Sequence, residues 1–128
     1  MRIYNYAPAK QNMDDLIKAT RALSDETRLR ILNILLEKEC CVCEVMQALG
    51  ISQTRASRNL GILQEAGFLK TRRDRLWMVY SIDWETTNRY AISLARLLKD
   101  SPVDSKLLDR DRERLKKATR VGPGCAKC

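Results

Sequence analysis

Gly50-Ile51-Ser52 separates two short amphipathic runs and limits what the surrounding chain can become. Upstream, Val45, Met46 and Leu49 sit at helical spacing within CEVMQAL, and Gly50 supplies a stop. Downstream, Ser52 is a good N-cap, and Ala56, Leu60 and Leu63 recur at i, i+4 and i+7 until Gly67 closes the run. Two short helices joined through so tight a turn are the signature of a helix-turn-helix.

The second helix presents Gln53, Thr54, Arg55, Ser57, Arg58 and Asn59 away from its apolar stripe, with no acid before Glu65. Such side chains hydrogen-bond base edges and phosphates; the plainer reading is a solvated helix face. Next, Phe68 and Leu69 lead one strand and Leu76 to Ile82 form another, with Arg72, Arg73, Asp74 and Arg75 as the turn between them. Charge placement decides between the two readings. The chain carries a net charge of +8, and residues 53–75 hold six Lys/Arg against two acids, half of that excess. A polyanion is the expected partner, met by the helix residues together with Arg72, Arg73 and Arg75 of a basic hairpin wing.

The flanks read as helices. Residues 12–23 place Leu16, Ala19, Ala22 and Leu23 at helical spacing, and SDETRLRILNILLEK follows with Ser24 or Asp25 as cap and an end near Glu39. Residues 84–99 form a fifth helix, broken at Ser101 and Pro102. Residues 104–119 form a highly charged last helix whose thin stripe of Leu107, Leu108 and Leu115 suits packing on a partner subunit. The expected architecture is mainly α with a β-hairpin wing: a winged helix-turn-helix with α-helical dimerisation elements at both ends. Its 128 residues suit one domain over 1–120 with a flexible, cysteine-containing tail over 121–128.

The stretch ECCVCEVM places Cys40, Cys41 and Cys43 within four positions, and Cys125 and Cys128 form a CxxC in the tail. MRIYNYAPAK has no apolar core of a signal peptide, and no run of about 18 apolar residues would span a membrane. A reducing cytoplasm is the expected setting, where clustered thiols point to metal binding or redox chemistry; the plainer reading is buried structural cysteine. The chain has no histidine, which excludes Ser-His-Asp and Cys-His nucleophiles and every imidazole metal site. An enzyme with the phosphatase-like pattern of Cys followed six residues later by Arg is disfavoured: Met46, Gln47 and Leu49 stand at those positions. A thiol-rich metal buffer leaves the basic helix and wing unexplained. Cys41 and Cys43 point apart on an ideal helix, so sharing one ion requires that they sit at a helix start or that the first turn unwind. The helix N-terminus is expected to lower their thiol pKa values.

ALSDETRLRILNILL, CVCE, LGISQTRASRNLGILQEAGFLK and LWMVYSID, in that order, resemble the ArsR/SmtB family of metal-responsive winged-helix repressors over roughly residues 16–98. CVCE resembles its arsenite- and antimonite-sensing branch. The resemblance implies a homodimer that binds a palindromic double-stranded DNA operator and releases it when As(III) or Sb(III) occupies cysteine thiolates, no membrane being involved. It implies control of an arsenic-resistance operon, with Cys41 and Cys43 as the essential pair. Met46 stands where that branch has a third cysteine, which leaves Cys40 as the favoured third ligand and Cys125 or Cys128 as alternatives. The family's zinc and cobalt site needs a histidine that this chain lacks, and Asn59 and Gly61 replace the family's more usual His and Lys. Two rival signals remain on the same fold: a thiol redox switch, and cadmium or lead.

Overall fold

A computed structural model describes residues 11–121. In chain order the elements are α1 (Met13–Leu23), α2 (Glu26–Leu35), β1 (Cys40–Cys41), α3 (Val42–Leu49), α4 (Gln53–Glu65), β2 (Leu69–Asp74), β3 (Trp77–Ile82), α5 (Arg89–Asp100) and α6 (Lys106–Lys117).

Side-chain caps set most helix starts. Asn12 accepts from the Asp15 N–H, Asp25 from Arg28, Ser52 from Arg55 and Ser105 from Leu108, each satisfying a donor the helix cannot reach. Asp25 is thus the cap of α2, and Ser24 closes α1. Gly50 ends α3 in the left-handed region at φ 70°, the conformation only glycine enters without strain. The Gly50-Ile51-Ser52 turn between α3 and α4 is as the sequence predicts.

Three boundaries differ from expectation. The second helix stops at Leu35 rather than near Glu39, because Cys40–Cys41 is drawn into the sheet as β1. The sheet order is β1-β3-β2, all antiparallel, with Cys40 opposite Tyr80 and Cys41 opposite Val79. Arg72, Arg73 and Asp74 belong to β2 rather than to the turn, which is Arg75-Leu76 between the paired Asp74 and Trp77. Arg75 takes φ 60° there, a conformation that glycine usually supplies in such tight hairpins. The fifth helix begins at Arg89, where Asn88 caps it through the Tyr90 and Ala91 N–H groups.

The core gathers Ile31, Leu32, Ile34 and Leu35 of α2, Val45 and Leu49 of α3, Leu60 and Leu63 of α4, and Phe68, all buried. The last helix is a correction. Its stripe packs within the chain, against α2 and α3, with Leu108 and Leu115 buried. A fully buried Asp111 fixes it by receiving Arg30 in a fork, Nε to Oδ2 at 2.8 Å and Nη2 to Oδ1 at 2.9 Å. Arg30 Nη2 also donates to the Leu49 carbonyl at 3.1 Å. One charge-assisted fork therefore ties α2, α6 and the end of α3 together. Helical spacing alone shows three leucines on that helix; the buried aspartate that completes the face is invisible to it.

Candidate functional site

α4 stands with Gln53, Thr54, Arg55, Ser57 and Arg58 exposed. Asn59 is not among them: it is buried, accepting from Arg28 Nη1 at 3.0 Å and donating to the Arg55 carbonyl at 2.8 Å. This corrects its assignment as an outward contact. Asn59 follows Ala56 by three and precedes Leu63 by four, which puts it on the inward face. Arg55 divides its role, since its guanidinium donates to Thr27 Oγ1 at 2.8 Å on α2. On the wing, Arg72, Arg73 and Arg75 are exposed, and Arg72 pairs with Glu39.

The thiols divide between two faces. Successive residues on a strand point to opposite sides, so β1 sends Cys40 into the main core and Cys41 to the other face. There Cys41 Sγ lies 2.8 Å from Cys43 Sγ, packed with Val42, Met46 and Trp77. The structure does not bring Cys40 to this pair; its thiol faces the Lys38 carbonyl at 3.5 Å. Among the described residues no three Cys, Asp or Glu groups are grouped to hold a metal ion. Cys125 and Cys128 lie outside the described residues.

Cys41 is also the N-cap of α3. Its Sγ takes the Glu44 N–H, and Glu44 Oε1 accepts the Cys41 N–H at 2.9 Å, a capping box with a thiol in the place of Ser or Thr. C-x-x-E was the sequence signal for it. Burial works against the Glu44 carboxylate, but the Cys41 N–H, Arg120 and Lys38 more than offset that and hold its pKa below the usual range. The thiols go the other way. Burial, with the Glu44 charge beside it, pushes Cys40 up to about 12. Burial also raises Cys41, outweighing the N–H groups that favour its thiolate. The expected lowering by the helix N-terminus is therefore not met at Cys41, where desolvation outweighs the N–H groups of the first helix turn.

The chain beyond α6 returns to this site. Gln47 Nε2 donates to the Thr119 carbonyl at 2.6 Å while Thr119 N donates to Gln47 Oε1 at 3.1 Å, pinning this segment to α3. Arg120 then reaches Glu44. Sequence reading missed Glu44, Gln47, Trp77 and Arg120; only the first had a local signal.

Fold and site together define a winged helix-turn-helix with a buried cysteine pair at the foot of its first short helix. Residues 25–71 match the bacterial regulatory protein arsR family, and the chain belongs to it. A cadmium resistance transcriptional regulatory protein CadC homolog of Staphylococcus aureus is 42% identical over 78 residues, 60% of this chain and 64% of that protein. The arsenic resistance transcriptional regulator ArsR1 of Pseudomonas putida is 46% identical over 63 residues, 48% of this chain and 49% of that protein. The chain thus spans about half to two-thirds of the length of these relatives. Among solved structures, the homodimeric winged helix-turn-helix DNA-binding domain Mb0332 of Mycobacterium bovis matches with a TM-score of 0.56 and 29% identity, covering 69% of this chain and 81% of that one. These relatives are regulators rather than enzymes, and among the described residues no helix is long and apolar enough to cross a membrane.

Proposed function

We propose that this chain is a homodimeric repressor that binds a palindromic DNA operator through α4 and the wing. It lets go when trivalent arsenic or antimony takes the thiolates of Cys41 and Cys43, and it controls an arsenic-resistance operon in the reducing cytoplasm. The observation that carries this reading is the 2.8 Å approach of the two sulfurs, buried at the start of the helix that leads into α4. Soft thiolates select soft ions, and the pair supplies two of the three sulfurs a pyramidal ion takes.

A tail cysteine is the favoured third donor, because Cys40 faces the other way. An extended chain spans at most about 3.6 Å per residue, so the five residues from Arg120, docked beside the pair, to Cys125 span at most about 18 Å. DNA contact is supported by the exposed Gln53, Thr54, Ser57, Arg58, Arg73 and Arg75, with Arg55 and Arg72 each shared with an internal partner. Dimerisation is supported by α1 and α5, which pack together while leaving Met13, Leu16, Ile17 and Leu97 exposed. Recognition helices one DNA turn apart, about 34–36 Å, tolerate little rotation, so a local change at α3 suffices for release.

The test is a DNA-binding titration on the chain's own upstream region, reduced, with and without arsenite, for wild type and Cys41→Ser/Cys43→Ser. Release of the wild type alone supports the reading; release of both overturns the ligand assignment. A second reading, cadmium or lead as the signal, is favoured by the cadmium-resistance relative. Competition between cadmium and arsenite in the same titration separates the two, and release by peroxide alone would assign a redox switch instead.

A further inference from the structure

We propose that Arg120 is a positioning residue that couples the Cys41–Cys43 site to the wing. Its guanidinium stands between the two sites. Nε donates to Glu44 Oε1 at 3.2 Å, the same oxygen that accepts the Cys41 N–H. Nη1 donates to Asp74 Oδ2 at 3.0 Å. The guanidinium carbon lies 5.8 Å from the centre of the Trp77 ring. Asp74 and Trp77 are the residues that flank the Arg75-Leu76 turn, and Trp77 packs on Cys41 and Cys43. One side chain thus touches the capping box of the helix that bears the thiols and both strands at the wing tip.

The coupling follows from geometry and rests on the sensing reading above. Arsenous acid would bond to Cys41 Sγ as the thiol proton and one arsenic hydroxyl leave together as water; the new S–As bond would draw Sγ away from the Glu44 N–H it now accepts, so the reciprocal capping box would open and Glu44 would move. Arg120 is held to Glu44 and Asp74 together, with Lys38 as the other cation on Glu44 at 3.3 Å. When Glu44 moves, Arg120 can keep only one carboxylate in place, and Asp74 and the ring of Trp77 shift as that bridge parts. The wing arginines then leave the position that fits DNA. A fork of fixed donors suits this task, and a lysine ammonium cannot span both carboxylates.

The test uses the full reduced chain, arsenite as probe and the chain's own upstream DNA. The readout is the ratio of DNA dissociation constants with and without arsenite, beside arsenite binding followed by thiolate–arsenic absorption. Coupled sites typically show ratios of about 5–150-fold. Arg120→Gln and Arg120→Lys are expected to bind arsenite as wild type does while the ratio falls toward one. The Lys variant keeps the charge, so its loss of coupling separates geometry from weaker attraction to DNA. Asp74→Asn cuts the same bridge from the wing side and serves should the Arg120 variants fail to fold. In a Trp84→Phe background, Trp77 emission should respond to arsenite in the wild-type relay and not in Arg120→Gln. An unchanged ratio in Arg120→Gln and Asp74→Asn overturns the relay alone. Failure of arsenite to bind the wild type overturns the sensing reading and the relay with it.

Discussion

Cys41 Sγ lies 2.8 Å from Cys43 Sγ although ideal helix geometry would turn them apart. They converge because Cys41 is not yet helical: it is the N-cap, extended at φ −87° and ψ 172°, while Cys43 is already in the first turn. Position at the helix start brings the pair together without unwinding. Serine at 41 is a stronger cap than cysteine. Cys41→Ser should keep α3 as stable as before, or up to about 1 kcal/mol more so, while losing arsenite binding. Denaturant unfolding and thiolate–arsenic absorption on one sample read both halves.

Cys40 should behave as a core residue. Its pKa of about 12 exceeds the ordinary thiol value, so the folded state holds the proton that the unfolded chain gives up near pH 9. That contribution to stability is fully present below the unfolded pKa and is lost as pH rises toward about 12. The difference in denaturation midpoint between wild type and Cys40→Val should therefore shift in favour of the variant between pH 9 and 12. A constant difference would show that the thiol does not titrate as buried.

Asp111→Ala should cost about 3 kcal/mol or more, because it strands the Arg30 charge in a nearly buried site. Replacing the pair with Arg30→Met/Asp111→Leu should recover most of that. A double-variant cycle from urea unfolding gives the coupling; equal losses in the single and double variants would show that the fork is not what holds α6.

Arg58→Ala should weaken DNA binding and reduce the slope of log affinity against log salt by about one unit for each phosphate that the arginine neutralises. Arg58 is exposed, so arsenite binding and unfolding should not change. Asn59→Ala should instead lower stability, since it frees Arg28 and the Arg55 carbonyl. An unchanged salt slope in Arg58→Ala would remove it from the DNA-binding surface.

The same substitution should have opposite signs at two glycines. At Gly67, φ is 96° and a Cβ would lie 2.8 Å from Thr86 Oγ1 and 2.9 Å from Asn88 Cβ. Gly67→Ala should destabilise by about 1–2 kcal/mol or more. Gly61 lies within α4 with nothing near a new Cβ, so Gly61→Ala should stabilise by about 0.5–1 kcal/mol. Thermal midpoints of the two variants decide it.

What the sequence disclosed was what local pattern encodes. The Gly50-Ile51-Ser52 turn, the caps and the hairpin are short-range features, and they lie where spacing puts them. β1 is different: two residues have no periodicity, and they are a strand only because Tyr80 and Val79 pair with them. The same strand decides that Cys40 and Cys41 face opposite ways, so the grouping of three adjacent thiols could not be read from adjacency. Asn59 and Asp111 show the converse error. Polar type suggested surface, and their partners, Arg28 and Arg30, lie far away in sequence.

Pairing of β1 with β3 also orders events during synthesis. Cys40 and Cys41 emerge from the ribosome well before Tyr80 and Val79, the residues that hold them in place. Contacts so distant along the chain form late, after the loop between them has closed. A chain ending before Trp77 carries both Cys41 and Cys43 but not the strand that aligns them. The juxtaposition of Cys41 and Cys43 is therefore a product of the finished fold, and a growing chain has its cysteines without the arrangement that makes them a pair.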